Sequence, residues 1–552
     1  MKLLKSPIWL ALAAVIFLRA VTLNFPDLID TTEGRYSSVA KQMFQSGDLI
    51  TPMIPMKQGW IPYWSKPPLN YWLEAGAFKL FGVEDWAARI PSLLMALLTA
   101  FFVFQVAKDF YDRKVAGLAA TIFLTSFLVF LSAGSVNVDQ SLSGCVAGAL
   151  GCFALSRVGT RSKPSPGLDL LMFFFIGLGL VAKGPIAAVL VGAPLLCWGL
   201  YTRKMAAIWG LPWLRGILLV LIVAVPWFVV AELRNPGFLN YYLVNEHILR
   251  FLTPNYADRY GEGHVFPRGA ALVMLAVCFL PWTIPAAVLG WRFRERLKDS
   301  QSVYLLAWGL FPALFFALAR QLTAFYVLPG FGALAIVVAR LAGEAAADPL
   351  QNKNLSWLPR SLYSFAALIA AVAIPLGYFH HSSAGLTLTV ISLGLFALLC
   401  VLGAHIWEPG DLAVRTRHAT VAFALCFAIT LLQVGRAASE WKSTGPIISF
   451  IREKLDRDDS DRKAIYLGVL FGSPFSAYFY DNEVKSRDLV TVPVEPVALA
   501  RSGRVREVIV KLADLKKLPP EVLSHFRIAK TIGRWTWLRR VRREGNSGPL
   551  PS

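Results

Sequence analysis

Four carboxylates and a handful of cations stand out in this chain because each sits where an apolar stretch meets a polar one. Asp30 and Glu33 lie in DTTEGRYSS, Asp139 in SVNVDQSL, Lys66 in YWSKPPLNYW and Lys183 in VAKGP. Glu246, His247 and Arg250 lie in NEHILRF, and Arg320 and Tyr326 in RQLTAFYVLP. A carboxylate at such a boundary can take a proton from a hydroxyl, and a cation there can hold an anion while its charge grows. Each residue also has a plainer use. Asp30 and Glu33 have capping-box spacing, in which Glu33 only reaches back to a helix N-terminal amide. Asp139 opens a helix, where the dipole favours a carboxylate. Lys66, beside Tyr63 and Trp64, can snorkel to an interface. Glu246 and Arg250, four apart, can form an ordinary helix ion pair. His247 stands alone, with no Cys or His at ligand spacing. Lys183 next to Gly-Pro, and Arg320, cost free energy at the edge of an apolar run unless they are used.

The elements that must position these groups follow from periodicity. Tyr36, Val39, Ala40, Met43 and Phe44 recur at helical spacing, predicting an amphipathic helix from near Asp30 to Gly47. A second helix starts at Pro67-Pro68, carries Leu69, Trp72, Leu73, Leu80 and Phe81 on one face, and stops at Gly82. Beside a membrane, both helices are expected in its interface with charged faces toward water. Pro236 is expected to start a third, with Leu239, Tyr242 and Phe251 on its apolar face.

With 552 residues, 56% of them hydrophobic, the chain is richer in long apolar runs than a soluble core requires. We read about thirteen spans, at 7–25, 88–108, 116–134, 139–157, 168–183, 185–201, 216–232, 268–290, 302–319, 324–341, 362–380, 386–405 and 418–435. The first holds Arg19 and is read as a retained anchor rather than a cleaved signal. Lys and Arg cluster in every second gap, for example Lys108, Arg113 and Lys114, then Arg203 and Lys204, then Arg292 to Lys298. The positive-inside rule therefore places the N-terminus in the cytoplasm and the 30–91 loop outside. The formal charge of +20 is largely explained by those cytoplasmic loops, and no stacking platform accompanies it, so nucleic acid is not expected as a partner. The remaining external basic charge suits membrane lipids and an acidic glycolipid. All six cysteines fall in apolar runs, without a CxxC pair. Neither GxGxxG nor GxxxxGK[ST] occurs, which argues against a nucleotide-sugar donor.

Residues 1–435 thus read as a membrane domain with external loops at 26–91, 133–140 and 233–268. Residues 436–552 read as a small α/β domain, with a helix at 447–455, strands at 464–470, 505–512 and 531–541, and an aromatic segment at 473–480 that packs against something.

The order Glu33-x-Arg35-Tyr36, Gly47-Asp48, Lys66-Pro67-Pro68, Tyr71-Trp72, Phe81-Gly82, Arg89-x-Pro91-Ser92 resembles the first external loop of the polyprenyl-phosphate-sugar glycosyltransferases. Within them the chain is most similar to the lipid A aminoarabinose (ArnT-like) transferases. The resemblance implies a GT-C fold, an α-helical polytopic membrane protein with external amphipathic helices. It also implies a single displacement that moves 4-amino-4-deoxy-L-arabinose from undecaprenyl phosphate to lipid A, on the periplasmic side of a bacterial inner membrane. It assigns acidic roles to the Glu33 helix start and to Asp139, and assigns the donor phosphate to Lys66, Arg250, Tyr326 and Tyr63. Arg35, Lys183, Glu246, His247 and Arg320 are further candidates. Many relatives have an Asp-Glu pair where this chain has Thr32-Glu33, so Asp30 is expected to substitute. Relatives often carry a Glu associated with a metal before the lysine; Ser65 stands there, which leaves a divalent metal open. Two rivals remain: the same fold with another sugar or with a protein or polysaccharide acceptor, and a polyprenyl-lipid flippase. A flippase would need no acidic residue at the sugar carbon, and paired interrupted helices in repeated halves would mark it.

Overall fold

The structure, a computed structural model, describes residues 7–347 except 57–58, 251–252, 254–255 and 263. It then describes 357–378, scattered positions between 391 and 398, 412–458, 467–470, 475–480, 497, 501 and 507–541. The chain forms two compact units: Met1–Phe25, Asp48–Thr51 and Trp64–Val434 in one, and Pro26–Gly47, Pro52–Tyr63 and Gly435–Ser552 in the other. The expected boundary near residue 435 is modified at the front of the chain, because most of the first half of the 30–91 loop joins the C-terminal unit.

The first unit is a helical bundle. Helices α1 (Pro7–Val21), α3 (Leu69–Phe81), α4 (Asp85–Phe110), α5 (Arg113–Thr125), α6 (Phe127–Ser132), α7 (Val138–Phe153), α8 (Pro166–Lys183), α9 (Ile186–Thr202), α10 (Met205–Trp209) and α11 (Trp213–Arg234) precede the external segment. Among the described residues five helices are long and apolar enough to cross a membrane, or six if one bent pair is a single span. Helix α11 carries Leu214, Ile217, Leu218, Leu221, Ile222 and Val225 exposed along its length, a lipid-facing surface. The protein is a multi-pass membrane protein. Helices lie within every predicted run except 386–405, most of which is outside the described residues. Two runs are not continuous. The stretch 116–134 breaks at Ser126, and 268–290 divides into Ala270–Cys278 and Thr283–Arg292, bent by 101°.

Helix α3 stops at Gly82 as predicted. Asn70, Tyr71, Glu74 and Phe78 are buried, while Leu80 and Phe81 are exposed. After α11 the chain forms α12 (Phe238–Asn240) and then a π-helix, Tyr241–Leu249. The α-helix expected from Pro236 thus begins after Gly237 and widens at once; Tyr242 is buried, and Phe251 lies outside the described residues. A two-residue hairpin, β3 (Ala257–Asp258) with β4 (Gly261–Glu262), follows.

In the second unit α2 (Thr32–Ser46) ends at Gly47, which donates its N–H to the carbonyl of Met43 and turns the chain out of the helix with a φ of +74°. Hairpin β1 (Met53–Met56) and β2 (Gly59–Pro62) follows it. The tail holds a four-stranded sheet in the order β5-β6-β8-β7, from β5 (Leu467–Leu470), β6 (Glu507–Lys511), β7 (Phe526–Ile532) and β8 (Trp535–Arg540). Strands β5 and β6 are parallel and the other pairs antiparallel. The predicted strand 531–541 is in fact the end of β7, a turn through Gly533, and β8. The helix expected at 447–455 runs over Gly445–Asp458, and the aromatic segment forms a buried helix, Phe475–Tyr480, which packs on α2. Helix α2 does not turn all its charge to water. Lys41 is 2% exposed, and its ammonium donates to the carbonyls of Tyr478 (3.1 Å) and Phe479 (2.7 Å) at the end of that helix. One buried lysine thus serves two carbonyls in the last turn of that helix.

Candidate active site

Four segments of the first unit converge on one cavity of about 270 Å³. The strap before α3 brings Ser65 and Lys66, the end of α8 brings Lys183, the π-helix brings Glu246 and His247 with Arg250 just beyond, and the 3₁₀ stretch Ala324–Gly330 brings Tyr326. Pro67 and Pro68 stiffen the chain between Lys66 and α3. The Lys66 ammonium donates to the Ser65 carbonyl and hydroxyl, both at 2.9 Å, and to Oε2 of Glu246 at 3.1 Å. Arg250 donates to the same Glu246 oxygen at 3.0 Å. The Glu246 side chain is only 3% exposed, so screening of the three charges by solvent is weak. The i,i+4 pair read from the sequence therefore exists, and Lys66 makes it a triad.

Lys183 pairs with Asp139 and lies 4.0 Å from the centre of the Tyr326 ring. The Tyr326 ring thus faces an ammonium, a cation–π contact. Asp139 sits in the first turn of α7, where its backbone N–H donates to the Asn137 side chain at 2.8 Å; the cap is Asn137, not the carboxylate. His247 places Nδ1 2.7 Å from the Tyr242 carbonyl, and burial pushes its pKa below the ordinary histidine value. It therefore contributes no charge at neutral pH. Three cations against two carboxylates leave the cluster with one net positive charge. Gly184, with φ of +78°, closes α8 here, and a side chain on it would meet the Tyr242 hydroxyl and His247.

Of the other sequence candidates, Arg320 belongs to the first unit but does not line the cavity, whereas Tyr63, Glu33, Asp30 and Arg35 belong to the second unit. Arg320 is exposed, and its neighbour Gln321 lines the cavity instead, donating to the Tyr256 carbonyl at 2.7 Å. Residues 265 and 321 form an isolated β-bridge, and in such extended chain adjacent side chains point to opposite sides. Tyr63, in the second unit, is 2% exposed, and its N–H donates to the Pro52 carbonyl at 2.7 Å beyond the β1–β2 hairpin. Glu33 and Asp30 do not form the predicted capping box. Thr31 occupies the cap without a side-chain bond, and Glu33 accepts from the Ile29 N–H at 3.1 Å. Asp30, the expected substitute, is engaged by the tail in this structure. Its two oxygens accept from the Ser476 N–H (2.8 Å) and hydroxyl (2.6 Å), and burial raises its pKa to about 6. It ties the loop to the tail. Arg35 stacks over Phe475 at 5.0 Å.

The donor set does not fit a divalent metal. Position 65 is a serine and not a carboxylate, Glu246 is shared by two cations, and Nδ1 of His247 faces a carbonyl. Among the described residues no three His, Cys, Asp or Glu side chains gather as a ligand group.

Three comparisons bear on this arrangement. Residues 65–229 match the family profile described as dolichyl-phosphate-mannose-protein mannosyltransferase. An undecaprenyl phosphate-alpha-4-amino-4-deoxy-L-arabinose arabinosyl transferase from Pectobacterium carotovorum is 31% identical over 409 residues, covering 72% of this chain and 70% of the relative. A protein of the same name from Yersinia enterocolitica is 28% identical over 390 residues, covering 69% and 68%. The fold is similar to the crystal structure of ArnT from Cupriavidus metallidurans bound to undecaprenyl phosphate, with a TM-score of 0.75, 20% identity, and coverage of 97% of this chain and 98% of that one. The apo form of that protein gives a TM-score of 0.72. The implied GT-C architecture is therefore the one found, and this chain belongs to the family of undecaprenyl phosphate-alpha-4-amino-4-deoxy-L-arabinose arabinosyl transferases.

Proposed function

We propose that this protein transfers 4-amino-4-deoxy-L-arabinose from undecaprenyl phosphate to lipid A, at the periplasmic face of the bacterial inner membrane. The observation that carries the reading is the convergence of Lys66, Arg250, Lys183 and Tyr326, from four separate segments, on one small cavity of net positive charge. At about 270 Å³ it has room for a phosphate and a sugar, not for a long prenyl chain. Ile186, Val189, Phe315, Phe316 and Ala319 form an apolar wall along which the lipid tail leaves.

The chemistry follows from charge. The donor is a phosphodiester with one negative charge. As the acceptor hydroxyl attacks the anomeric carbon, the bond from that carbon to the phosphate oxygen breaks, and its electron pair stays with the phosphate. The leaving undecaprenyl phosphate becomes a monoester that carries more charge. Lys66 and Arg250 therefore hold the transition state and product more tightly than the donor, which is what accelerates transfer. The hydroxyl proton passes to a carboxylate, Glu33 or Asp139. Neutral His247 adds no charge and braces the wall of the cavity. The test is mass spectrometry of lipid A from cells with and without the gene. A mass increment of one pentosamine that depends on the gene is the expected result, and lipid A of unchanged mass would refute the acceptor.

A further inference from the structure

Between α3 and α7 lies a buried polar chain that the mechanism above does not use. Asn70, in the first turn of α3 and four residues after Lys66, is 1% exposed. Its amide nitrogen donates to Oε1 of Glu74 at 2.5 Å, and its amide oxygen accepts from the Ser141 hydroxyl at 2.9 Å. Glu74 and Ser141 are both 0% exposed. Ser141 stands two residues after Asp139 in the first turns of α7. The Asn70–Ser141 bond thus joins two segments 71 residues apart, one leading from Lys66 and the other from Asp139.

We propose that Asn70 is a positioning residue for the transfer step, setting the separation of Lys66 and Asp139 by bonding α3 to α7. The inference rests on the functional reading above, in which Lys66 holds the leaving phosphate and Asp139 serves the acceptor side. Pro67 and Pro68 give it mechanical force, because two fixed φ angles transmit a shift of the first turn of α3 to Lys66. Asparagine also suits the position chemically. One short planar group must present a donor to a carboxylate and an acceptor to a hydroxyl at once. Leucine has the shape without either function, and aspartate would set a second carboxylate against buried Glu74.

The prediction is a split between kinetic constants. In the purified full-length protein, Asn70→Leu should lower kcat on the order of tenfold or more, since one or two buried hydrogen bonds are lost. The donor KM and the Kd for undecaprenyl phosphate alone, read by native mass spectrometry, should stay within about threefold, because Lys66, Arg250 and Glu246 still form the phosphate site. Ser141→Ala should lower kcat by a smaller factor, and the double variant should be no worse than Asn70→Leu, as both remove the same bond. Unchanged kcat in folded Asn70→Leu overturns the proposal. So does undecaprenyl phosphate binding that falls in step with turnover, which would mean that the pocket itself has collapsed. If Asn70→Leu does not fold, Ser141→Ala decides: wild-type kcat overturns the proposal, and a lowered kcat with unchanged phosphate binding supports it. A wild-type protein that transfers no aminoarabinose removes the functional reading and this proposal together, whereas active wild type with equally active Asn70→Leu removes the proposal alone.

Discussion

Replacing Lys66 by alanine removes one of the three cations of the cavity and takes its net charge from one positive to zero. The fold should tolerate this. Glu246, the buried partner, keeps Arg250 at 3.0 Å, so no isolated carboxylate is left behind. The phosphate loses one charge-assisted hydrogen bond, worth roughly 1.5–3 kcal/mol, or about tenfold to a hundredfold in affinity. The loss should be uneven. Free undecaprenyl phosphate carries more charge than the sugar-bearing donor, so its Kd should rise by more than the donor KM, and kcat should fall as well. Lys66→Met keeps most of the side-chain volume and should behave like alanine. Lys66→Arg keeps the charge in a different geometry and should recover part of the loss. The assay pairs titration of undecaprenyl phosphate by native mass spectrometry with steady-state transfer to lipid A. Folded Lys66→Ala with wild-type affinity and turnover would sink the phosphate assignment, however well Lys66 sits beside Glu246.

Four further outcomes can be checked. Glu33→Gln should abolish transfer while the protein still inserts and binds donor, because glutamine can still accept from the Ile29 N–H (3.1 Å in the wild type) but cannot take a proton; retained activity would reduce Glu33 to a cap. Asp139→Asn should lose transfer without unfolding α7, whose cap is Asn137, and it should release Lys183 from its ion pair; wild-type kcat in this variant would exclude a catalytic carboxylate here. Asp30, raised from 3.8 to about 6, contributes stability to the second unit that is fully present below about pH 4, and that contribution, roughly 3 kcal/mol, is lost as pH rises through about 6. Asp30→Asn should flatten that dependence in hydrogen exchange, and an equally steep profile in the variant would refute the burial argument. Finally, cysteines introduced for Trp60 and Lys530, after replacement of exposed Cys197, should react with an impermeant reagent in spheroplasts; protection of both would reverse the proposed orientation.

What could be read directly was local. Gly47 and Gly82 end their helices because the backbone leaves the helical region there, and Pro68 opens α3 because a ring without an N–H suits that place. The convergence of cations was partly legible for a related reason. A lysine or arginine at the end of an apolar run is costly, and Lys66, Lys183 and Arg250 all reach the same cavity. Partners far along the chain left no local trace. Asp30 is joined to Ser476 across 446 positions, and Lys41 to Tyr478 across 437, so helical periodicity turned Lys41 toward water when it is buried. Periodicity equally missed the π-helix at Tyr241–Leu249 and the break between Ala270–Cys278 and Thr283–Arg292, where hydrophobicity runs on through a change of direction. Charge singled out Arg320, whereas its uncharged neighbour Gln321 is the one that lines the cavity.

The same contrast explains how a cluster this charged can be held ready. Lys66 is bound by the Ser65 hydroxyl and carbonyl and by Glu246 before any donor arrives, and Lys183 is bound by Asp139 and the Tyr326 ring. The ordering of both side chains is thus a cost of folding rather than of the transition state. In the proposed mechanism Glu246 competes with the phosphate for the two cations it aligns. A neutral glutamine at 246 would leave Lys66 and Arg250 unopposed, so undecaprenyl phosphate should bind more tightly. Turnover should not rise with it, because tighter product slows release and looser cations stabilise the transition state less well. Tighter phosphate binding with slower transfer in Glu246→Gln is the pattern that alignment by a competing carboxylate requires, and weaker binding would mean that Glu246 acts as a structural strut for Arg250 alone.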